Sequence, residues 1–313
     1  MRILSMSGFV PEQICDTVRF TQYHGDRNIS HFCAYASDYI SQVINDESID
    51  GAVFPKSCDS TRIIGSYLPN GGKFIHQINV PCWRTPGVED YFASEIRRYK
   101  KAVEAYYSVS LTDTEERTVL VNRRNEALSE LYNNLECFSF SEYLQAVHKM
   151  LCLPLAEQHV NTPSAYTKEG KRIFLIGSFL SNMEIAVLIE KAGLHVVGDS
   201  LPESGRLASR PPVEMGDPDL CTAIAKSILA QRLSPTQNSF DEIITRDLRE
   251  MEQKKVCGAV IITQQFCEPY DYFYAAAKKI FAEHGISSVQ ISLNGSDDLK
   301  EASLVLEAFA ETL

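Results

Sequence analysis

Twice in this chain a hydrophobic run of the form Gly-Ala-Val leads into a loop that presents a cysteine followed by an acidic residue. The first is Gly51-Ala-Val-Phe-Pro-Lys-Ser-Cys58-Asp59 and the second is Gly258-Ala-Val-Ile-Ile-Thr-Gln-Gln-Phe-Cys267-Glu268. Short apolar runs bounded by glycine and polar loop residues predict buried strands, the material of parallel sheets. In open α/β sheets ligands sit at the carboxyl ends of strands, where loops splay apart, so both thiols are expected where chemistry is done. They are candidates for one shared metal site between two lobes.

The rest of the chain alternates in the same manner. In the first half, residues 2–6, 51–54 and 73–78 read as strands and 34–45 as a helix, with a turn at Pro69-Asn-Gly-Gly72. From Glu89 to Met150 the period becomes helical. Tyr91, Ile96, Tyr99, Val103 and Tyr106, then Leu120, Arg124, Leu128 and Leu131, recur at threes and fours, and these helices are expected to cover or bridge the lobes. Residues 153–171 have the Pro, Gly, Ser and Thr content of a linker. A boundary there divides the chain into a first α/β lobe with a helical extension, 1–160, and a second α/β lobe, 161–313.

In the second half a strand at 172–176 passes through Gly177-Ser178 into a helix ending near Gly193, and 195–197 supplies the next strand. Helices over 219–230 and 240–254, the Gly258 strand, a helix over 272–284, a strand over 289–292 and a helix over 297–313 follow. The expected fold class is α/β, a doubly wound lobe with a parallel sheet, of which the first lobe is a shortened relative because the Gly-Ala-Val unit recurs in it.

Charge and composition exclude some partners. Thirty Lys and Arg against 41 Asp and Glu leave a formal charge of -11, which argues against nucleic acid or an anionic membrane as the main partner. No apolar run approaches the roughly 20 residues of a membrane span, and the amino-terminal stretch is too quickly interrupted to be a signal peptide, so a cytoplasmic location is expected. Nine cysteines in such a chain read as thiols or metal ligands rather than disulfides.

A third thiol joins the first two. Cys33, in His31-Phe-Cys-Ala-Tyr35, stands at the mouth of the first predicted helix, where unpaired amides and the helix dipole favour a thiolate. Iron in sulfide clusters is held by cysteine thiolates, and three protein ligands leave one iron open, as catalytic metal sites require. The alternative reading of Cys33, Cys58 and Cys267 is three buried thiols. Cys15, Cys82, Cys137, Cys152, Cys221 and Cys257 are expected to fill cores, with Cys82, in Pro81-Cys-Trp83, also placed to reach the site as an extra ligand. Gly177-Ser178 is either a tight connection or an anion cradle of backbone amides. Arg206 and Arg210 either grip an anionic substrate or partner subunit or lie in a solvated loop. His31 either serves the site or sits at the surface.

The segments Phe32-Cys33-Ala-Tyr35, Asp50-Gly-Ala-Val-Phe-Pro-Lys-Ser-Cys58-Asp59, Val121-Asn-Arg-Arg124, Arg172-Ile-Phe-Leu-Ile-Gly-Ser178, Gly258 to Pro269 and Leu306-Glu-Ala-Phe309 occur in an order that resembles the 2-hydroxyacyl-CoA dehydratase and benzoyl-CoA reductase family. The resemblance runs from about Ser30 to Leu313. It implies two flavodoxin-like doubly wound lobes with parallel sheets and an intervening helical segment, and a 4Fe-4S iron-sulfur cluster held by Cys33, Cys58 and Cys267. It also implies a homologous second subunit or a second copy of the chain, and an ATP-dependent iron-sulfur activator protein that delivers a low-potential electron. Dehydratases of this kind make a ketyl radical from a 2-hydroxyacyl-CoA and expel the hydroxyl; reductases deliver electrons to an aromatic thioester. A related branch is a homodimer with a double-cubane 8Fe-9S cluster that reduces small non-CoA molecules. A noncatalytic electron-relay subunit and a metal-free small-molecule binding module remain as alternatives. Two departures from the family pattern stand out. Cys33 follows only 32 residues where a longer region is usual, which bears on the acyl-CoA pocket, and Glu268 stands where Asp is more usual.

Overall fold

The computed structural model describes every residue except 1, 7, 21–31, 69–71, 160, 167–168, 181, 238 and 294–297. His31, most of the turn at 69–72 and the first residue of the helix expected over 297–313 lie outside the described residues. The first half of the chain runs β1 (Ile3–Ser5), β2 (Thr17–Arg19), α1 (Ala34–Asn45), β3 (Gly51–Lys56), α2 (Asp59–Ile63), β4 (Phe74–Asn79), α3 (Val88–Tyr107), α4 (Thr114–Asn133) and α5 (Phe140–Leu151). The second half runs β5 (Lys171–Gly177), α6 (Glu184–Lys191), β6 (Leu194–Ser200), α7 (Gly205–Ala208), α8 (Leu220–Ala230), α9 (Phe240–Gln253), β7 (Gly258–Gln264), α10 (Glu268–Glu283), β8 (Ser287–Leu293) and α11 (Leu299–Thr312).

The strands form two parallel four-stranded sheets, ordered β2-β1-β3-β4 and β6-β5-β7-β8. The orders are equivalent, and each matches the 2-1-3-4 portion of the flavodoxin-type winding. The repeated Gly-Ala-Val runs are therefore the third strand of each sheet. Even the pairing corresponds, since Gly51 stands beside Ile3 of β1 and Gly258 beside Ile173 of β5. Both sheets bury their two faces, as alternation along a strand requires. On β3, Val53 belongs to the core beneath α3, while Ala52 and Phe54 belong to the core beneath α1. On β7, Val260 and Ile262 pack with α5, α6 and α11, while Ala259 and Ile261 pack with α9 and α10.

Helices cross between the halves. Phe140, Tyr143, Leu144 and Val147 of α5 pack on the second sheet, with Leu128 and Tyr132 from the end of α4. Conversely, Ala223, Ile224 and Ile228 of α8 pack beside α3 on the first sheet. The buried stripe of α3 is Phe92, Ile96, Tyr99 and Val103; Tyr91 and Tyr106, expected on that stripe, are exposed. On α4 the buried positions include Val121, Arg124 and Leu128. Among the described residues no helix is long and apolar enough to cross a membrane.

A knot of buried charge also ties distant segments. Glu12, between β1 and β2, forms an ion pair with Arg19 at 2.9 Å and accepts a hydrogen bond from Arg124 of α4 at 2.7 Å. Arg124 reaches Gln158 at 2.7 Å, and Arg210, beyond α7, donates to the carbonyl of Gly8 and to Gln231 Oε1.

His76 on β4 makes one pH dependence readable. Its ring stacks on Phe74 at 5.8 Å and lies 5.1 Å from Tyr99, and burial, reinforced by Arg98, pushes its pKa down to about 4. A folded pKa below the unfolded one means that protonation opposes folding, so its contribution is complete above the ordinary histidine range and is lost as pH falls toward 4. Melts at pH 7 and 4.5 are expected to show a smaller acid-side loss for His76→Phe than for the parent. Equal losses in the two proteins would remove His76 from the account.

Candidate metal centre

All three thiols occupy the position just before a helix. Cys33 precedes α1, Cys58 follows β3 and precedes α2, and Cys267 follows β7 and precedes α10. Each therefore sits where the first amides of a helix lack intrahelical partners and the dipole favours negative charge. Because β3 and β7 are the strands at which winding reverses in each sheet, Cys58 and Cys267 come from the two crevices in which such folds bind ligands.

Local chemistry fixes the loops. Thr61 Oγ1 accepts from the amides of Ser57 and Cys58 at 3.1 and 3.0 Å and lies 3.5 Å from Cys58 Sγ, which clamps the turn from β3 into α2. With Cys58 at the N-cap and Thr61 at the third position of α2, the pair forms a capping box that the usual Ser/Thr-to-Glu/Gln signature does not announce in the sequence. Before Cys267, Phe266 takes φ of +65°, a left-handed conformation uncommon for a bulky residue, while 57 % of its surface is exposed. That turn brings Cys267 back so that its amide donates to the carbonyl of Gln264 at 3.0 Å and its side chain packs against cores of both lobes.

Cys33, Cys58 and Cys267 line the same two spaces, an inner cavity of about 110 Å³ and an outer mouth of about 680 Å³. Burial pushes the Cys33 thiol up to about 11, only partly offset by the amide of Ala36, and a Cys58 thiolate would raise it further. Cys267 is pushed up as well, by burial first and then by Cys33 and Cys58. Three thiolates this close repel one another, and a cationic centre among them relieves both the repulsion and the desolvation. Among the described residues no three His, Cys, Asp or Glu side chains are spaced to hold a single metal ion. Three cysteine sulfurs with, among the described residues, no imidazole or carboxylate set beside them in the inner cavity make a soft donor set, which is compatible with an iron-sulfur centre.

Other expected positions divide. Cys82 lines the outer mouth with the three thiols. Cys15 is buried, with Sγ 3.0 Å from the Tyr99 hydroxyl. Cys137 and Cys152 are exposed rather than core-filling, because each stands where a helix has ended at the surface; Cys221 and Cys257 are half-buried. The Ser178 amide donates to Ile262 O at 3.2 Å, so it belongs to the sheet and not to an anion cradle. Gly177 permits this approach, since a Cβ there would stand 2.6 Å from the same carbonyl. Arg206 and Arg210 are both buried, not in a solvated loop. Glu268 is exposed at the start of α10 and lines the outer mouth. Tyr35, which entered the sequence reading only as the end of the Cys33 segment, stacks on Phe179 at 4.8 Å, and both line the inner cavity; nothing in the sequence singled out Phe179.

The profile of the 2-hydroxyglutaryl-CoA dehydratase D-component family matches residues 1–313. The chain belongs to that family. Members of the D-component family generally carry iron-sulfur clusters. Among characterised proteins the chain is similar to the beta subunit of (R)-phenyllactyl-CoA dehydratase from Clostridium sporogenes, with 26 % identity over 149 residues. That alignment takes in 46 % of this chain and 38 % of the subunit, well under half of the relative's length. Among solved structures, the complex of SsGBP with GDP covers 99 % of this chain and 98 % of that one at 11 % identity and a TM-score of 0.27. A Mn-bound periplasmic metal binding protein from Candidatus Liberibacter asiaticus covers 99 % and 98 % at 10 % identity and a TM-score of 0.24. Superpositions that loose carry no argument for the D-component family member described here.

Proposed function

We propose that this D-component family member is the iron-sulfur subunit of an ATP-activator-dependent dehydratase or reductase that acts by electron transfer to its substrate, with Cys33, Cys58 and Cys267 as the ligands of a 4Fe-4S cluster. The observation that carries the reading is the convergence of three thiols, each at a helix entrance and from three separate segments, on one cavity between the sheets. When bound, such a cluster supplies a one-electron reductant, with potentials reaching down to about -700 mV, and an iron open to a substrate oxygen.

The chain's own residues supply the rest. Three thiolates would hold the irons at helix ends, Thr61 clamps the Cys58 turn, and Met6, Phe9 and the Tyr35–Phe179 stack give the inner space apolar walls. Excluding water is what a strongly reducing centre needs if electrons are to reach substrate rather than solvent protons. A homologous subunit or a second copy of the chain as companion, an iron-sulfur activator as donor, and a cytoplasmic location complete the proposal; similarity to a protein named as a beta subunit supports the first of these.

Anaerobic purification followed by iron and acid-labile sulfide analysis with EPR tests it. About four irons and four sulfides per chain, with an EPR signal on reduction, are expected; roughly twice that iron marks a double-cubane centre. A colourless chain without iron or sulfide, prepared under strict anaerobiosis, would overturn the assignment.

A further inference from the structure

Two equivalent sheets end in two unequal edges. Each stops at its fourth strand, β4 or β8, where the flavodoxin-type winding would place a fifth. Along a parallel strand alternate residues bond to the neighbour and the others turn their N–H and C=O outward. The Phe74 amide donates to Asp50 O, so Gln77 and Asn79 face outward on β4; the Gln265 amide donates to Leu293 O, so Ser288, Gln290 and Ser292 face outward on β8. The first edge is closed by its own helix. Arg98 Nη2 of α3 donates to Gln77 O at 2.7 Å, and Glu95 Oε2 accepts from the Asn79 amide at 3.0 Å. The second edge is open. Among the described residues the one bond to an outward group of β8 runs from the Tyr274 hydroxyl to Ser288 O at 3.4 Å.

Natural edge strands refuse partners by being short, charged, bulged, interrupted by proline or covered. Strand β8 spans seven residues, Ser287–Leu293, without a proline or a charged side chain, and it pairs with β7 without a bulge. Where a cover would lie, the described residues leave a groove of about 320 Å³, lined by Gln290, Ile291 and Ser292 and by Glu301 and Val305 of α11. What fits such an edge is another copy of it. Antiparallel pairing of identical strands sets the outward residues against their own kind, and Ser288, Gln290 and Ser292 carry no charge to repel themselves. The flanking helix adds complementarity. On α10, Asp271 accepts from Gln290 Nε2 at 2.6 Å, Tyr274 reaches Ser288, and Lys278 lies 5.7 Å from the Tyr274 ring centroid, so an acid and a base stand in one row beside β8. A two-fold axis through the edge reverses that row in the second copy, turning each Asp271 toward the end of the other row that carries Lys278. An extended peptide of unrelated sequence would gain the backbone bonds and not this exchange of charge.

We propose that β8 of one chain pairs antiparallel with β8 of a second copy, joining the two second-half sheets into one continuous sheet across a two-fold axis. The contact is strand addition, in which main-chain bonds supply affinity and the flanking side chains supply register. Because the interface is isologous it closes at two chains and leaves no further edge of this kind exposed. The inference goes beyond the companion proposed above by naming it as a second copy and placing its contact. It does not rest on the iron, since no residue of β8 lines either space that the three thiols share.

Sedimentation velocity on the full chain, prepared anaerobically, tests it. The parent is expected to run as a dimer, at twice the 35.1 kDa of one chain. Ser292→Lys puts a charge on an exposed edge position and enters the two-fold interface twice, so the dimer Kd is expected to rise at least about tenfold. Ser288→Pro removes an outward N–H that the bonds to β7 do not use, and is expected to act in the same direction while far-UV circular dichroism stays that of the parent. Hydrogen exchange locates the contact: the Gln290 amide is expected to be protected in the parent dimer and to exchange freely in the Ser292→Lys monomer. A monomeric parent, a dimer that neither variant weakens, or a Gln290 amide that exchanges alike in both states would overturn the inference. A parent that stays monomeric until a homologous chain is added would likewise end the assignment to a second copy. Iron analysis of the same samples keeps the readings apart: an iron-free dimer that responds to Ser292→Lys would end the iron-sulfur proposal and leave the edge contact standing, and an iron-loaded monomer would do the reverse.

Discussion

Cys267→Ala is expected to leave the chain folded and nearly free of iron. Position 267 tolerates the loss of its sulfur, because no side-chain hydrogen bond from Cys267 caps α10 and the helix start is secured by Pro269 in its first turn. Far-UV circular dichroism is therefore expected to match the parent, while iron per chain falls at least about tenfold and the visible absorbance goes with it, since a cluster deprived of one of three thiolates loses more than a disturbed outer partner would cost. Cys58→Ala is expected to do the same. Cys137→Ala serves as the control, being exposed on the turn after α4 and far in character from the packed thiols. Retention of iron by both Cys267→Ala and Cys58→Ala, or an equal loss in Cys137→Ala, would refute the ligand assignment.

What the sequence disclosed about this site was positional, and what it concealed was packing. The Gly-Ala-Val runs are legible because a parallel strand buried on both faces must be continuously apolar, and a thiol just past such a strand must lie at the ligand-binding edge. The start of α10 was misread, at Tyr272 instead of Glu268, because Pro269 looks like a break, although proline is well tolerated in the first turn of a helix. The edge strand β2 is only three residues long and too short for an alternation to declare itself. Nothing local in α5 or α8 tells which sheet each will cover, since an amphipathic stripe specifies that a face is buried and not against what. For the same reason Arg206 and Arg210 passed as candidates for a solvated loop. Arg210 is buried through contact with Gly8, 202 positions earlier in the chain, and no local pattern carries that information.

The largest expected effect on stability comes from Glu12. Among the described residues three buried guanidiniums, Arg19, Arg124 and Arg210, gather around this one carboxylate. Burial by itself would push the Glu12 carboxyl up, yet Arg124 and Arg19 hold it well below the usual carboxylate range. Arg210 shows the opposite strain: burial pushes it down to about 9, the attraction of Glu12 opposes that, and the repulsion of Arg19 and Arg124 adds to it. Removing the carboxylate leaves three cations buried without a counter-charge, so Glu12→Ala is expected to cost about 3–5 kcal/mol, read as a lowered urea midpoint at unchanged slope. A depressed folded pKa stabilises above the unfolded value and ceases to do so as pH falls below it, so the gap between parent and Glu12→Gln should be widest near neutrality and narrow on acidification through the ordinary glutamate range. A cost below about 1 kcal/mol, typical of an exposed pair, would mean that the arginines find other partners when Glu12 is gone. Because Arg124 comes from the helix that crosses to the second sheet and Arg210 from the segment beyond Arg206, a large cost would locate much of the cohesion between the two halves in this one carboxylate.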